Sequence, residues 1–198
     1  MCGRFETTPS IQSLIEVLKK ENIDLQLDFE SKKNKTINIA PTESIISIIK
    51  SDQNYKLSVS KWGIKFNSDS PLIFNSRIET IQEKKYWFNL FGKNRSLVPM
   101  TAFYEWKTEG KKKTPYRIFI PNEEIFFVPA LYYLDKDQNI YTSLITTIPN
   151  DFVKTIHHRM PVIFNIKNGL KYFSDSAESN LLKCIPYAGK MSMEKFNL

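Results

Sequence analysis

Between residues 95 and 147 the chain consists of short segments rich in β-branched and aromatic residues, and this feature constrains the fold more than any other. The segments are RSLVPM, AFYEWK, PYRIFI, EIFFVPALYYL and IYTSLITTI, separated by polar turns such as TEGKKKT, NEE and DKDQN. Short polar turns join neighbouring strands in antiparallel order. We therefore predict an α+β fold in which predominantly antiparallel strands curl into a barrel or sandwich, with helices at its margin.

The remaining segments complete this prediction. PSIQSLIEVLKKEN has apolar residues at helical spacing after Pro9 and Ser10, which predicts an N-terminal helix. ESIISIIK, YKLSVSKWGI and HHRMPVIFN predict strands, whereas RIETIQEKKYWFNLF and AESNLLKC predict helices. Because 198 residues show no repeat and no linker, we predict a single domain over residues 1–198.

The charge of the chain limits its partners. It has 28 lysines and arginines against 21 acidic residues, a formal net charge of +7. This favours a polyanionic partner, although a solvated lysine-rich surface explains the same charge equally well. No apolar run reaches membrane-spanning length and no signal peptide is evident, so we expect a cytoplasmic protein. Two distant cysteines, Cys2 and Cys184, predict free thiols, no metal site and no cofactor.

The opening MCGRF places a cysteine directly after the initiator methionine. Removal of Met1 gives Cys2 a thiol and an α-amine on adjacent carbons. Such an aminothiol condenses with an aldehyde to an imine and then closes to a thiazolidine. The ordinary pKa of an α-amine, about 7.7–8.0, leaves part of it neutral and nucleophilic at neutral pH. The alternative is a frayed terminus without a role.

FNSRIET contains a second group of candidate residues. Asn75 and Arg77 lie on the same face if this segment is extended, and the Asn75 amide can both donate and accept hydrogen bonds. The alternative is a junction between a strand and a helix in which Ser76 caps the helix.

AFYEWK contains a candidate acid–base residue. Alternation along a strand places Phe103 and Glu105 on one face, with Tyr104 and Trp106 on the other. Apolar neighbours remove water from a carboxylate and raise its pKa, which suits acid–base chemistry near neutral pH. The alternative is an exposed glutamate beside Lys107.

IHHRMP brings together both histidines of the chain. In an extended segment His157 and His158 point to opposite faces, so only one of them can join a given site. Beside Arg159 and before a proline, that histidine is a candidate general acid or base. The alternative is a structural or exposed histidine.

Taken in order along the chain, these segments resemble the SOS-response-associated peptidase (SRAP) family, which includes the vertebrate abasic-site processing proteins, also described as binders of 5-hydroxymethylcytosine. The motifs are MCGRF at 1–5, KWGI at 61–64, NSRIET at 75–80, VPMTAFYEW at 98–106, SLITT at 143–147 and IHHRMPVIF at 156–164. They cover nearly the whole chain. The chain departs from the family pattern at Ala102, where the family usually has glycine, and at PALYYL.

The resemblance implies a chemistry for these residues. Cys2 would link covalently to the ring-opened aldehyde of an abasic site in single-stranded DNA, with Asn75, Glu105 and His157 around the link. The family register selects His157 and leaves His158 at a variable position. The residues expected to hold the DNA are Arg4, Arg77, Arg159, Trp62 and Phe74.

The resemblance also implies a biological role. The expected product is a protective, reversible DNA–protein crosslink in the DNA damage (SOS) response, with removal of Met1 by the protein itself or by an aminopeptidase, and with an abasic-site lyase activity. We expect a monomer associated with the nucleoid, with the replication machinery as a further partner. Two alternatives stay open: a cysteine peptidase that uses Cys2, and a non-covalent binder in which Trp62, Trp106 and Phe74 stack on bases.

Overall fold

A computed structural model describes residues 2–27, 36–51 and 54–196, so Met1 and its removal lie outside the described residues. The strands are β1 (Arg4–Glu6), β2 (Leu25–Leu27), β3 (Ser44–Ser51), β4 (Asn54–Trp62), β5 (Asn75–Arg77), β6 (Arg95–Met100), β7 (Ala102–Glu109), β8 (Lys112–Phe119), β9 (Phe126–Leu134), β10 (Ile140–Thr147), β11 (Met160–Pro161) and β12 (Ser192–Lys195). The helices are α1 (Ile11–Lys19), α2 (Ile78–Glu83), α3 (Lys85–Lys93), α4 (Asp151–Lys154), α5 (Ile166–Ser174) and α6 (Ala177–Lys183).

Five strands close into a barrel in the order β10–β9–β6–β3–β4. Four of its ladders are antiparallel, and the barrel is closed by a parallel pairing in which Thr142 of β10 lies opposite Trp62 of β4. Outside the barrel, β5 pairs with β10 and β2 pairs with β4, both in parallel. The predicted barrel-like α+β fold with peripheral helices is confirmed, and its closure adds parallel pairings that local sequence patterns do not reveal.

A second, antiparallel sheet in the order β1–β7–β8–β12 packs against the barrel. The chain passes from β6 of the barrel to β7 of this sheet at Thr101. In its ladder with β7, Phe5 of β1 lies opposite Phe103. A shared apolar cluster that includes Cys2, Phe5 and Phe103 fills the space between sheet and barrel. The N-terminus is thereby held in the interior beside β7.

The helices follow the predicted pattern in part. Ser10 caps α1 by accepting a hydrogen bond from the Ser13 amide at 3.1 Å, as its position predicts. The predicted helix in RIETIQEKKYWFNLF is divided into α2 and α3, because Lys84 between them is extended. Ser76 does not cap α2: its hydroxyl instead meets that of Ser143 at 2.8 Å, within the β5–β10 pair. No helix in the described ranges is long and apolar enough to span a membrane.

The strand predicted for HHRMPVIFN is largely wrong. Only Met160 and Pro161 form a strand, paired with the end of β10, and Phe164 adds a single bridge to Phe127. The short helix α4 precedes this segment, and the two histidines lie in the irregular stretch that follows it. The amide of His157 donates to the Val153 carbonyl at 2.9 Å, a helical hydrogen bond that extends the last turn of α4 to the first histidine.

Candidate active site

Cys2 lies in the interior at the start of the second sheet. Its side chain is fully buried, and its Sγ lies 3.7 Å from the Arg4 carbonyl, to which it donates. The Asn75 side chain donates from Nδ2 to the Cys2 carbonyl at 2.8 Å and so fixes the backbone at Cys2. Burial, together with the negative charge of Glu105, raises the pKa of the Cys2 thiol far above its ordinary value. The side chain is therefore a thiol, not a thiolate, at neutral pH.

Asn75 offers a further polar atom to the site. It lies on β5, which pairs with β10 so that Asn75 is opposite Leu144. Its Oδ1 is buried and has no hydrogen-bond partner among the described residues. A buried acceptor without a partner is costly unless something else donates to it. Since Asn75 also lines a cavity, a donor bound there is a candidate partner for this oxygen.

Glu105 lies on β7 with its side chain turned into the interior. The residue is 2% exposed, and burial raises the pKa of its carboxyl from 4.5 to about 7. Its apolar neighbours in the sequence predict this direction of shift. Near neutral pH the carboxyl is present in both protonation states, so it can either give or take a proton.

His157 lies next to Glu105. Its Nδ1 is 3.5 Å from Glu105 Oε1 and 3.1 Å from both the backbone nitrogen and the carbonyl oxygen of Arg159. Burial lowers the pKa of the imidazole to about 4. The ring is therefore neutral at pH 7, and its contact with Glu105 is not an ion pair.

The two histidine rings lie side by side, so the prediction that they point to opposite faces is wrong. Their centroids are 4.3 Å apart and their planes are inclined by 32°. The prediction assumed a strand, whereas the residues follow the last turn of α4. The structure thus places His157 at Glu105, with His158 as an exposed neighbour stacked on the His157 ring.

The three candidate arginines have different surroundings. Arg77 is exposed at the mouth of a cavity, and Arg4 donates to the Asn38 side chain at 3.0 Å. Arg159 is 7% exposed and forms a two-pronged ion pair with Glu79, at 2.8 and 2.9 Å. Its hydrogen bond to the Thr146 carbonyl adds a third contact at 2.8 Å. A DNA phosphate can thus reach Arg77 directly, whereas Arg159 already holds a carboxylate.

The two candidate aromatic residues also differ in whether a ligand can reach them. Trp62 is fully buried where β4 closes the barrel, its indole nitrogen donates to the Phe74 carbonyl at 2.8 Å, and its ring lies 4.9 Å from that of Phe5. No base can stack on Trp62 in this position, because its apolar surface belongs to the core. Phe74 is half-buried, packs edge-on against Trp62 and lines a cavity.

Two cavities adjoin the site. The first, of about 310 Å³, is lined by Asn75, Arg77 and Trp87 among others and is called here the β5 cavity. The second, of about 560 Å³, is lined by Trp106 and His157, together with Thr108, Pro149, Lys154, Ile156 and His158. Within the described residues, no group of three or more histidine, cysteine or acidic side chains could hold a metal ion.

A buried charged network next to the site was not predicted from the sequence. The Glu6 carboxylate accepts hydrogen bonds from Arg117 Nε at 2.9 Å, from Thr101 Oγ1 at 3.0 Å and from the Tyr104 hydroxyl. Burial disfavours its charge, yet the hydrogen bonds from Arg117 and Tyr104 lower the pKa of Glu6 below its ordinary value. The only sequence signal is an acidic residue that directly follows MCGRF, which by itself does not distinguish a surface glutamate from a buried one.

The chain is similar in sequence to known proteins. A family model described as SOS response associated peptidase (SRAP) matches residues 1–196. The abasic site processing protein YoqW of Bacillus subtilis is 33% identical in an alignment 178 residues long, which covers 85% of this chain and 78% of that protein. YedK of Escherichia coli, also named an abasic site processing protein, is 24% identical in an alignment 169 residues long, which covers 83% of this chain and 76% of YedK.

A solved structure shows the same fold. The X-ray structure of a protein from Bacteroides thetaiotaomicron superposes with a TM-score of 0.82 at 26% identity, covering 99% of this chain and 92% of that one. The family model spans nearly every residue, including both sheets and all the candidate site residues. The chain therefore belongs to the SOS response associated peptidase family.

Proposed function

We propose that this protein captures abasic sites in single-stranded DNA through Cys2 once Met1 has been removed, and so forms a protective, reversible crosslink during the DNA damage response. The observation that carries the proposal is the position of a buried Cys2 beside Glu105, with its carbonyl held by Asn75 and with His157 3.5 Å from the carboxylate. Relatives from two bacteria are named abasic site processing proteins, which supports the same substrate. We propose that the protein acts in the cytoplasm, on DNA exposed near replication.

The first step joins the Cys2 amine to the aldehyde of the open deoxyribose. The nitrogen attacks the carbonyl carbon, the resulting hydroxyl leaves as water, and a C=N double bond forms. Loss of that hydroxyl requires a proton, which Glu105 can supply because its pKa of about 7 leaves part of it protonated at neutral pH. Opening of the sugar also requires proton transfer at the ring oxygen. We assign this transfer to His157: its neutral imidazole accepts the proton of the C1 hydroxyl and then returns it to the ring oxygen as the C–O bond breaks, an effect of typically ~10²–10⁴-fold on rate.

The second step closes the thiazolidine. The thiol proton passes to Glu105 and replaces the one that this group gave to the departing water. The sulfur bonds to the carbon of the protonated C=N group, whose π electrons become the lone pair of a nitrogen that keeps the hydrogen it already carries. Because burial keeps the thiol protonated, this step needs a nearby base, and the carboxylate form of Glu105 is that base. The same two groups run the reaction in reverse when the crosslink is released. The imine between the two steps also permits β-elimination, which accounts for a lyase activity.

The geometry favours this reaction over a cysteine peptidase. A peptidase cysteine attacks as a thiolate, usually stabilised by a charged histidine. Here burial and Glu105 raise the thiol pKa, while burial lowers the pKa of His157 to about 4 and leaves the ring neutral. An aminothiol acting through a neutral amine does not need a thiolate in its first step.

The proposal is tested with single-stranded DNA that carries one abasic site. Wild-type protein should form an adduct that survives denaturing electrophoresis, whereas Cys2→Ser should not, since an oxazolidine replaces the thiazolidine poorly. A form in which a bulky residue inserted after Met1 prevents its removal keeps the thiol but should also form no adduct. Cys184→Ser, which alters the other buried free cysteine, is the matched control and should react normally. A stable adduct from the form that retains Met1 would refute the aminothiol mechanism.

A further inference from the structure

Four aromatic side chains meet at the protein surface: Phe66, Tyr86, Trp87 and Tyr133, called here the aromatic patch. The Phe66 ring contacts the other three, with centroid distances of 5.5 Å to Tyr86, 6.0 Å to Trp87 and 5.4 Å to Tyr133, all edge-to-face. Phe66 is 37% exposed and Tyr86 is 53% exposed. Large aromatic side chains grouped at a surface are typical of binding sites.

The aromatic patch is continuous with the candidate active site. Trp87 lines the β5 cavity together with Asn75 and Arg77. Asn75 holds the Cys2 carbonyl at the inner end of this path. Tyr86 packs against Trp87, with ring centroids 5.7 Å apart, and therefore extends the path outward. A strand that enters the β5 cavity from Cys2 thus meets the aromatic rings next.

The charges around the patch suit a polyanion. Lys84 and Lys85 are exposed and directly precede Tyr86, and Lys65 is exposed and directly precedes Phe66. Three acidic residues, Asp69, Glu83 and Asp135, lie within three positions of a patch residue, and Asp135 lines the same cavity as Lys61 and Lys65. The cations around the patch and the β5 cavity are Lys61, Lys65, Arg77, Lys84 and Lys85. Lys61 and Lys65 line a further cavity of about 410 Å³, which shares Leu72 with the β5 cavity.

We propose that the aromatic patch binds the unpaired bases that flank the captured abasic site on the same DNA strand. Aromatic faces stack on bases without regard to sequence, and flanking cations neutralise the phosphates, which is the combination that single-stranded nucleic acid requires. This proposal rests on the proposed function, because it extends the strand that Cys2 captures. It also assigns base stacking to exposed rings, whereas Trp62 lies in the core.

The test compares Tyr86→Ala with wild type on two kinds of DNA. Fluorescence anisotropy with an undamaged single-stranded 12-mer should show that Tyr86→Ala weakens binding by about tenfold, within the range of one lost base–aromatic stack. Tyr86→Phe keeps the ring and should bind like wild type. Leu182→Ala, which removes another exposed apolar side chain outside the patch, is the matched control and should also bind like wild type.

The second DNA is a trinucleotide with a central abasic site, which is too short to extend far along the patch. Tyr86→Ala should crosslink to it at the wild-type rate while reacting more slowly with a 12-mer at subsaturating concentration. Equal 12-mer affinity for Tyr86→Ala and wild type would overturn the patch assignment and leave a protein partner as its occupant. Failure of wild type to crosslink either substrate would instead refute the proposed function. The anisotropy result would still show whether the aromatic patch binds single-stranded DNA.

Discussion

The acid and base of the proposed reaction depend on burial more than on charge pairing. Glu105 and His157 are both ordinary titrating groups whose pKa values move in opposite directions, to about 7 and about 4, because the interior disfavours their charged forms. At neutral pH the imidazole is uncharged and the carboxyl exchanges protons readily. Because burial disfavours the charged form of each group, ionisation of either one should reduce the stability of the fold.

Glu105→Gln should therefore stabilise the protein in a pH-dependent way. Since the pKa of Glu105 in the folded state is above the ordinary 4.5, wild type loses stability as pH rises from about 4.5 through 7, and the variant does not. At about pH 8 the variant should be more stable by an amount on the order of 3 kcal/mol, with no difference at pH 4. Urea unfolding at several pH values measures this, and crosslinking by the variant should be slower by ~10²-fold or more.

Glu79→Gln is the matched control for that experiment. The hydrogen bonds from Arg159 lower the pKa of Glu79, so its contribution to stability is present above pH 4.5 and disappears in acid. The control variant should accordingly be less stable than wild type at pH 8. A Glu105→Gln protein with the same pH trend as Glu79→Gln would contradict the burial of an ionisable carboxylate at residue 105.

The stacked histidines should differ in how strongly they affect the reaction. His157→Ala should slow crosslink formation and exchange by about 10²-fold while affinity for single-stranded DNA stays near wild type, because acid–base groups act in the transition state. His158→Ala should slow the reaction only a few-fold, by removing the ring that positions His157. His158→Phe keeps a stacked ring and should restore most of the rate. A larger kinetic loss for His158→Ala than for His157→Ala would reverse the assignment.

At the scale of elements, β1 is a three-residue edge strand, and it must hold in place the segment that begins with Cys2. Its ladder involves only β7, with one added bridge from Phe5 to Ile39. Hydrogen bonds to the Glu6 carboxylate compensate for this short ladder. They come from Thr101, which directly precedes β7, from Tyr104 on β7 and from Arg117 on β8. Tyr104 directly precedes Glu105, so the same network fixes the strand that carries the acid–base group.

Glu6→Gln should loosen this arrangement. The variant keeps the side-chain shape but loses charge-assisted hydrogen bonds to a partly exposed arginine, at a cost of about 1.5–3 kcal/mol in unfolding free energy. Because the pKa of Glu6 is lowered in the fold, the difference from wild type should shrink as pH falls below about 4.5. Chemical denaturation at two pH values tests this. Glu109→Gln, at an exposed ion pair on β7, should have little effect, and equal losses for both variants would contradict the role of Glu6.

The sequence could predict elements wherever local pattern decides them. The strands between residues 95 and 147 alternate with polar turns, so their positions follow from residue type alone. HHRMPVIFN failed because an apolar run after a short helix resembles a strand, although it pairs only at Met160 and Pro161. The motifs predict the roles that we propose for Cys2, Glu105 and His157. They do not predict the burial of Trp62, which depends on the parallel closure of β4 onto β10, a contact between residues 80 positions apart.

In the whole molecule, the barrel and the second sheet bring together residues from distant parts of the chain. Cys2 comes from the edge of the second sheet, Glu105 from its next strand, Asn75 from a strand on the barrel and His157 from the segment after α4. The apolar cluster between the layers excludes water from Cys2 and Glu105. The fold thus creates a dry site at an N-terminus, a position that is usually mobile and solvated.

Capture of an abasic site by the Cys2 aminothiol has a definite mass, which intact mass spectrometry measures after incubation of the protein with abasic single-stranded DNA. Formation of the imine releases one water and closure of the thiazolidine releases nothing further. The adduct should therefore have the mass of the chain without Met1 plus the strand minus one water, and it should resist borohydride reduction, unlike an open imine. An adduct that retains Met1, or one whose mass is the simple sum of protein and strand, would contradict capture by the Cys2 aminothiol.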